Sequence, residues 1–122
     1  MKTLDAFLKQ HLAHCDGVIQ FPANAYVRIP GFKSSYVRVT QRFIEGHWYT
    51  PVLDLANQTA LHPGKGAFTA LIKHLRLCYP TLNIFVECVV NERFHKKLES
   101  LGFTRIGVPE RPEIPPHYWL PA

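Results

Sequence analysis

Apolar and polar residues alternate along residues 35–44, and Glu45 and Gly46 then lead into a second stretch that begins at His47. Alternation of this kind is typical of a strand with one buried face, and a short glycine-containing link favours a tight turn. The pattern therefore predicts a β-hairpin whose second strand runs over residues 48–60.

Other stretches have apolar residues at the spacing of an amphipathic helix. The spacing predicts one helix over residues 3–14 and another that begins at Ala67 and ends before Tyr79-Pro80. The apolar positions are Leu4, Phe7, Leu8 and Leu12 in the first helix, and Phe68, Leu71, Ile72 and Leu75 in the second.

A nearly continuous apolar run over residues 82–90 is typical of a central strand that is buried on both faces. Because a helix separates this run from the strand over residues 48–60, the two strands are predicted to be parallel neighbours. A short helix that ends at Gly102 is predicted after Asn91.

Shorter strands complete the predicted sheet. They are expected over residues 18–21 and 25–29, and residues 117–120 are expected to add a final edge strand. The fold class predicted from these elements is α/β (α+β): one domain, residues 1–122, with a mixed, mainly antiparallel sheet and flanking helices.

The segment Leu61-His-Pro-Gly-Lys-Gly66 leads directly into the helix that begins at Ala67. Backbone N–H groups in the first turn of a helix lack intrahelical partners and carry the positive end of the helix dipole, and glycines let an anion approach them. Lys65 adds a cation that can reach a second phosphate. The loop is therefore a candidate site for a pyrophosphate group, and a plain turn into the helix is the alternative.

Two motifs in register resemble the GNAT superfamily of acyl-CoA-dependent N-acyltransferases. Members have an Arg/Gln-x-x-Gly-x-Gly/Ala loop before a helix, and the segment 61–66 keeps its spacing and both glycines. Members also have an Asn at the end of the next strand and a Gly-Phe pair after the following helix, which Asn91, Gly102 and Phe103 match. The chain is also similar to small phage-encoded GNAT-like proteins.

The resemblance implies that the strands over residues 48–60 and 82–90 splay apart and that acetyl-CoA, or another acyl-CoA, binds between them. The glycine loop would hold the coenzyme A pyrophosphate, Asn91 the pantetheine arm, and a strand amide near Gln58 the thioester carbonyl. The reaction would transfer an acyl group to an amine. The implied cofactor-binding positions are Gln58, Leu61, His62, Gly64, Lys65, Gly66, Ala67, Phe68 and Asn91.

Two carboxylates lie on the strands that flank this predicted cleft. Asp54 lies inside an apolar strand, where a buried carboxylate needs a partner or a raised pKa, and Glu87 lies on the neighbouring strand. In many GNAT relatives a carboxylate on this strand acts as the general base for the amine, often through water. Asp54 and Glu87 are therefore catalytic candidates, with Asn57 as a candidate for orienting the substrate, and a structural hydrogen bond is the alternative for each.

Two positions depart from the GNAT pattern. Leu61 stands where Arg or Gln contacts phosphate, and Leu98 stands where many members have a Tyr that protonates the leaving thiolate. These departures favour a second hypothesis, in which a GNAT-fold protein has lost its chemistry and binds a macromolecular partner.

A net charge of +5 favours a multiply anionic partner, either coenzyme A or nucleic acid, and a generally basic surface without a specific partner is the alternative. Basic and aromatic residues also interleave on the predicted strands, which is typical of a surface for single-stranded nucleic acid or of a solvated sheet face. These residues are Arg28, Arg38 and Arg42 with Tyr26, Tyr36 and Phe43.

The three cysteines, Cys15, Cys78 and Cys88, have no paired spacing, which predicts reduced, mostly buried thiols in a cytoplasmic protein. No apolar run is long enough to predict a membrane span, and no histidine or cysteine pairing predicts a metal site. The sequence leaves the oligomeric state open.

Overall fold

The structure is a computed structural model that describes residues 1–12, 22–87, 89, 92–107, 111 and 113–122. Its described helices are α1 (Leu4–Leu12), α2 (Ala67–Cys78) and α3 (Glu92–Ser100). Its described strands are β1 (Ala23–Tyr26), β2 (Phe32–Ile44), β3 (His47–Ala60), β4 (Asn83–Val86), β5 (Thr104–Ile106) and β6 (His117–Leu120).

The described strands form one sheet in the order β1-β2-β3-β4-β6-β5. Only the β3–β4 pair is parallel, and the other four pairs are antiparallel. The predicted mixed, mainly antiparallel sheet with flanking helices is therefore confirmed.

The β2–β3 hairpin forms as the alternating pattern predicts. Its turn residues, Glu45 and Gly46, have φ values of 50° and 85°, as a two-residue hairpin turn requires, and Ile44 pairs with His47. Positive φ is easily reached by glycine, which explains Gly46 in the turn.

The predicted parallel neighbours are also present. β3 pairs with β4 from Val52–Asn83 to Leu55–Val86, and α2 connects the two strands. All four residues of β4 are buried, as expected for a central strand. In the described part of the chain the ladder ends at Leu55–Val86, whereas β3 continues to Ala60, so a gap opens beside the last part of β3.

The C-terminal strand differs from the prediction. β6 is not an edge strand, because it lies between β4 and β5, and Phe85 pairs with Trp119. Burial of Tyr118 and Trp119 on opposite faces of β6 explains its internal position. The three-residue strand β5, which forms the edge, was not predicted, since it is too short and polar to give a pattern.

In the N-terminal part of the chain, the predicted helix is confirmed and one predicted strand has different bounds. α1 buries Leu4, Phe7 and Leu8, and β1 begins and ends earlier than the predicted 25–29. The strand predicted over residues 18–21, like Cys15 and Cys88, lies outside the described residues. Cys78 contradicts the expectation of buried thiols, because it is exposed at the last residue of α2.

Hydrophobic residues form clusters on both faces of the sheet. The larger cluster contains the buried hydrophobic residues of all three described helices and, from β3, Leu53 and Leu55. The smaller cluster consists of Ile44, Val52, Phe85 and Trp119. Successive strand residues point to opposite faces, so Val52 and Leu53 lie on different sides of the sheet. We call the side of Leu53 the helix face and the side of Val52 the second face. Within the described ranges, no helix has the length and apolar character needed to cross a membrane.

Candidate functional site

A cleft of about 740 Å³ opens where β3 and β4 stop pairing. Its walls come from the ends of both strands, the glycine loop, the start of α2, and α3. The lining residues include Leu55, Ala56, Asn57, Gln58, His62, Gly64, Gly66, Ala67, Phe68, Glu87, Arg93, Phe94 and Lys97. Most of the sequence-predicted binding positions that are described therefore meet in one place.

The glycine loop presents bare backbone to this cleft. Gly64 and Gly66 have φ values of 81° and 83°, and no heavy atom lies within 4 Å of where a Cβ would stand. Gly66 is the N-cap of α2 and no side chain caps the helix. The N–H groups of the first turn are thus positioned to bind an anion.

Two loop residues do not line the cleft. Leu61 is 53% exposed, and its backbone N–H donates to the carbonyl of Gly31 at 2.9 Å. Lys65 is exposed, and its backbone N–H donates to the carbonyl of His62 at 3.3 Å. Leu61 therefore anchors the loop through its main chain, and the Lys65 side chain extends into solvent.

A register shift shapes the β3 wall. Tyr36 is paired with Asn57 and Val37 with Leu55, so Ala56 is an extra residue in β3. A bulge of this kind bends the strand locally. Asn57 is exposed and lines the cleft, whereas the side-chain amide of Gln58 donates to the carbonyl of Tyr36 at 3.0 Å. The Gln58 side chain is thus bonded within the sheet, whereas Asn57 is exposed at the cleft.

Asp54 does not line the cleft. Its carboxylate is fully buried on the second face and accepts hydrogen bonds from Arg42, from Nε to Oδ1 at 2.9 Å and from Nη2 to Oδ2 at 2.7 Å. Because this carboxylate is fully buried and does not line the cleft, a substrate bound in the cleft would not contact it. The geometry favours the structural alternative for Asp54.

Glu87 is the carboxylate that lines the cleft, and its side chain is 19% exposed. Its Oε1 accepts hydrogen bonds from Arg38 Nη1 at 3.1 Å and Arg42 Nη2 at 2.6 Å. Two guanidinium groups and two carboxylates thus form one group on the second face, which we call the Arg–acid cluster: Arg38, Arg42, Asp54 and Glu87.

The electrostatics of this cluster are set by burial and by mutual charges. Burial raises the pKa of the Asp54 carboxyl, and the charge of Glu87 adds to this, although the hydrogen bonds from Arg42 oppose it. Burial lowers the pKa of Arg42, but the hydrogen bonds and charges of Asp54 and Glu87 more than offset this and raise it. The Arg42 guanidinium carbon also lies 3.9 Å from the centre of the Phe85 ring, a stacking contact that holds the side chain.

α3 contributes a further wall of the cleft. Arg93, Phe94 and Lys97 line the cleft, and the ring of Phe94 packs edge-on against Phe68 with centroids 4.8 Å apart. The spacing of Arg93 and Lys97, one helical turn apart, is the signal that could have identified this face. His95 instead faces inwards and lies 2.6 Å from the carbonyl of Val89 through its Nε2.

Two further predicted positions have different outcomes. Asn91 lies outside the described residues. Leu98 is fully buried in the larger cluster, and a leucine side chain has no proton to donate.

The predicted basic and aromatic surface has only part of its charge unpaired. Tyr26 and Tyr36 do pack together, with ring centroids 4.9 Å apart, but Arg38 and Arg42 are paired with carboxylates. The exposed charges of Lys33, Lys65, Lys96 and Lys97 remain available for anionic ligands. Among the residues described, no group of three or more His, Cys, Asp or Glu side chains could hold a metal ion.

Comparisons with known proteins give little further information. No protein family model matches the chain, and no curated protein matches it significantly. A solved structure, the crystal structure of a KacTA–DNA complex, is similar over 97% of this chain and 78% of that chain. The sequence identity is 21% and the TM-score is 0.48, and a similarity of this extent establishes neither a family nor a function for this chain.

Proposed function

We propose that the protein is an acyl-CoA-dependent N-acyltransferase of the GNAT type. The observation that carries the proposal is the position of the cleft, beyond the last paired residues of two parallel strands and against an uncapped helix N-terminus. Clefts at the carboxyl ends of parallel strands are common ligand sites, and the adjacent glycine loop suits a pyrophosphate.

The walls of the cleft match the parts of coenzyme A in this proposal. The N–H groups of residues 64 and 66–68 bind the pyrophosphate, and Lys97 on α3 adds a cation. The pantetheine arm runs between β3 and β4 along Leu55 and Val86, with Asn91 as a further predicted contact. The apolar residues suit the arm, because its methylene and methyl groups lose contact with water there.

Glu87 is the general base in this proposal. The amine nitrogen attacks the thioester carbonyl carbon, a nitrogen–carbon bond forms, and the proton of the amine passes to Glu87. Backbone N–H groups near the Ala56 bulge stabilise the negative charge that develops on the carbonyl oxygen. The carbon–sulfur bond then breaks, and the leaving thiolate takes a proton from water, since Leu98 has none to give.

Calorimetry with acetyl-CoA tests the binding step. The expected result is saturable binding that is competed by coenzyme A. Absence of binding at a ligand concentration of about 1 mM would defeat the proposal, because even weak cofactor sites bind in this range.

The acceptor is proposed to be an anionic amine carrier such as a nucleic acid. Exposed lysines near the cleft support this, although the cluster neutralises Arg38 and Arg42. Binding of labelled single- and double-stranded oligonucleotides should weaken steeply between about 50 and 200 mM salt. Absence of binding even at low salt would instead favour a small-molecule amine.

The second candidate function is a binding protein that kept the fold without the chemistry. The burial of Leu98 and the enclosure of Asp54 favour it, because neither position can act on a substrate in the cleft. This candidate predicts acetyl-CoA binding without thiol release in the presence of amines. Steady turnover that depends on a defined amine would exclude it.

A further inference from the structure

The carboxylate of Glu87 is held by only one of its two oxygens. Oε1 accepts hydrogen bonds from both Arg38 and Arg42, at 3.1 and 2.6 Å. Over the described part of the chain, Oε2 accepts no hydrogen bond. A carboxylate fixed in this way has one oxygen in a constant position and one oxygen with its lone pairs available.

Arg42, which makes the shorter of the two bonds, is itself immobilised. Its guanidinium group is held by both oxygens of Asp54 and by the Phe85 ring. Asp54 has no solvent exposure and thus no competing water at its surface. The planar fork of an arginine can bind two carboxylates at once in fixed directions, which a lysine ammonium cannot do.

The sheet register explains why these side chains meet. Arg38 lies directly opposite Asp54 on β2 and β3, and Asp54 lies directly opposite Phe85 on β4. Glu87 follows Phe85 by two residues and therefore points to the same face. The cluster is thus built into paired strands, with Glu87 at the end that borders the cleft.

We propose that Arg38, Arg42 and Asp54 are positioning residues that hold Glu87 Oε1, so that Glu87 Oε2 receives the proton of the acceptor amine. The proposal rests on the proposed acyl transfer. The proton moves from the amine nitrogen to Oε2 as the nitrogen–carbon bond forms, and the electron pair of the broken carbon–sulfur bond leaves with the thiolate. Correct placement of the accepting oxygen matters, since a displacement of about 1 Å can lower a rate by about 100-fold.

The test measures thiol release from acetyl-CoA with glycinamide as the probe amine, together with the Kd for acetyl-CoA by calorimetry. Glu87→Gln should lower kcat by about 100-fold or more, because it removes the base. Arg42→Lys should lower kcat by about 10- to 100-fold and leave the Kd for acetyl-CoA within about twofold of wild type. Arg105→Lys, at an exposed position on β5, is the matched control and should leave kcat unchanged.

A second variant separates positioning from folding. Arg42→Met combined with Asp54→Leu removes two of the three positioning residues without leaving a buried charge unpaired, so it should remain folded. It should show the same loss of kcat as Arg42→Lys. If Arg42→Lys or the double variant keeps the wild-type kcat while Glu87→Gln loses it, the positioning role is overturned and acyl transfer stands. If the wild-type protein neither binds acetyl-CoA nor releases thiol, the proposed function is wrong, and the positioning role that depends on it is wrong as well.

Discussion

Arg42 and Asp54 are joined by two parallel hydrogen bonds, from Nε to Oδ1 at 2.9 Å and from Nη2 to Oδ2 at 2.7 Å, and the carboxylate is fully buried. Bidentate arginine–carboxylate pairs are among the stronger and more directional polar contacts in proteins. Burial makes such a pair sensitive to the loss of one partner, because the remaining charge is left in a poorly solvated place.

Asp54→Ala should therefore destabilise the protein by about 3–5 kcal/mol, measured by urea unfolding. Arg42 would keep its contact with Glu87 but lose both bonds to Asp54. Glu113→Ala, which breaks an exposed ion pair with Arg111, is the control and should have little effect on stability. A midpoint for Asp54→Ala equal to that of Glu113→Ala would contradict the importance of the buried pair.

Much of the fold could be predicted because local patterns and tertiary packing agree. The alternation along β2, the turn at Glu45-Gly46 and the apolar run of β4 each have one consistent structural interpretation. The position of β6 could not be predicted in the same way. Its neighbours in the sheet, β4 and β5, are determined by the long-range packing of Trp119 and Tyr118. The four residues of β6 do not reveal this packing in their own sequence.

Gly66→Glu should abolish acetyl-CoA binding, raising the Kd to about 1 mM or weaker. The new side chain would place a negative charge at the helix N-terminus where the pyrophosphate is proposed to bind. Calorimetry with acetyl-CoA provides the measurement.

Gly46→Glu is the matched control for Gly66→Glu. Both glycines have φ near 85° and open space at the Cβ position, so both variants carry a similar backbone strain of about 1–2 kcal/mol. Gly46 lies in the hairpin turn, at the opposite end of β3 from the loop. Equal loss of acetyl-CoA binding in both variants would show that strain, and not the anion site, is responsible.

Lys97→Glu should weaken acetyl-CoA binding by about tenfold at low salt, and the effect should shrink as salt increases. Lys97 lines the cleft from α3, where its charge can act on a bound phosphate. Lys96→Glu makes the same change in net charge at an exposed neighbouring residue that does not line the cleft. Similar affinities of the two variants, measured by calorimetry at two salt concentrations, would exclude a specific role for Lys97.

The candidate site was predictable in its backbone and much less in its side chains. The loop positions at Gly64 and Gly66 follow from glycine spacing before a helix, which is a local feature. The choice between Asp54 and Glu87 depends on which carboxylate the arginines enclose, and this is set by the register between β2, β3 and β4. Register across three strands cannot be obtained from local periodicity alone.

The stability of the protein should decrease as the pH falls through about 6.5, in part because of His117. Burial lowers the pKa of His117, and the charge of Arg42 lowers it further, against the opposing charges of Glu87 and Asp54. The unfolded chain therefore binds a proton at His117 more readily than the folded chain does. The contribution of this residue to stability is complete above the unfolded pKa and is lost as the pH falls towards the lower folded pKa. Urea unfolding between about pH 7.5 and 5.5 should show a smaller loss of stability for His117→Gln than for wild type. Equal losses of stability in the two proteins would show that other groups cause the pH dependence.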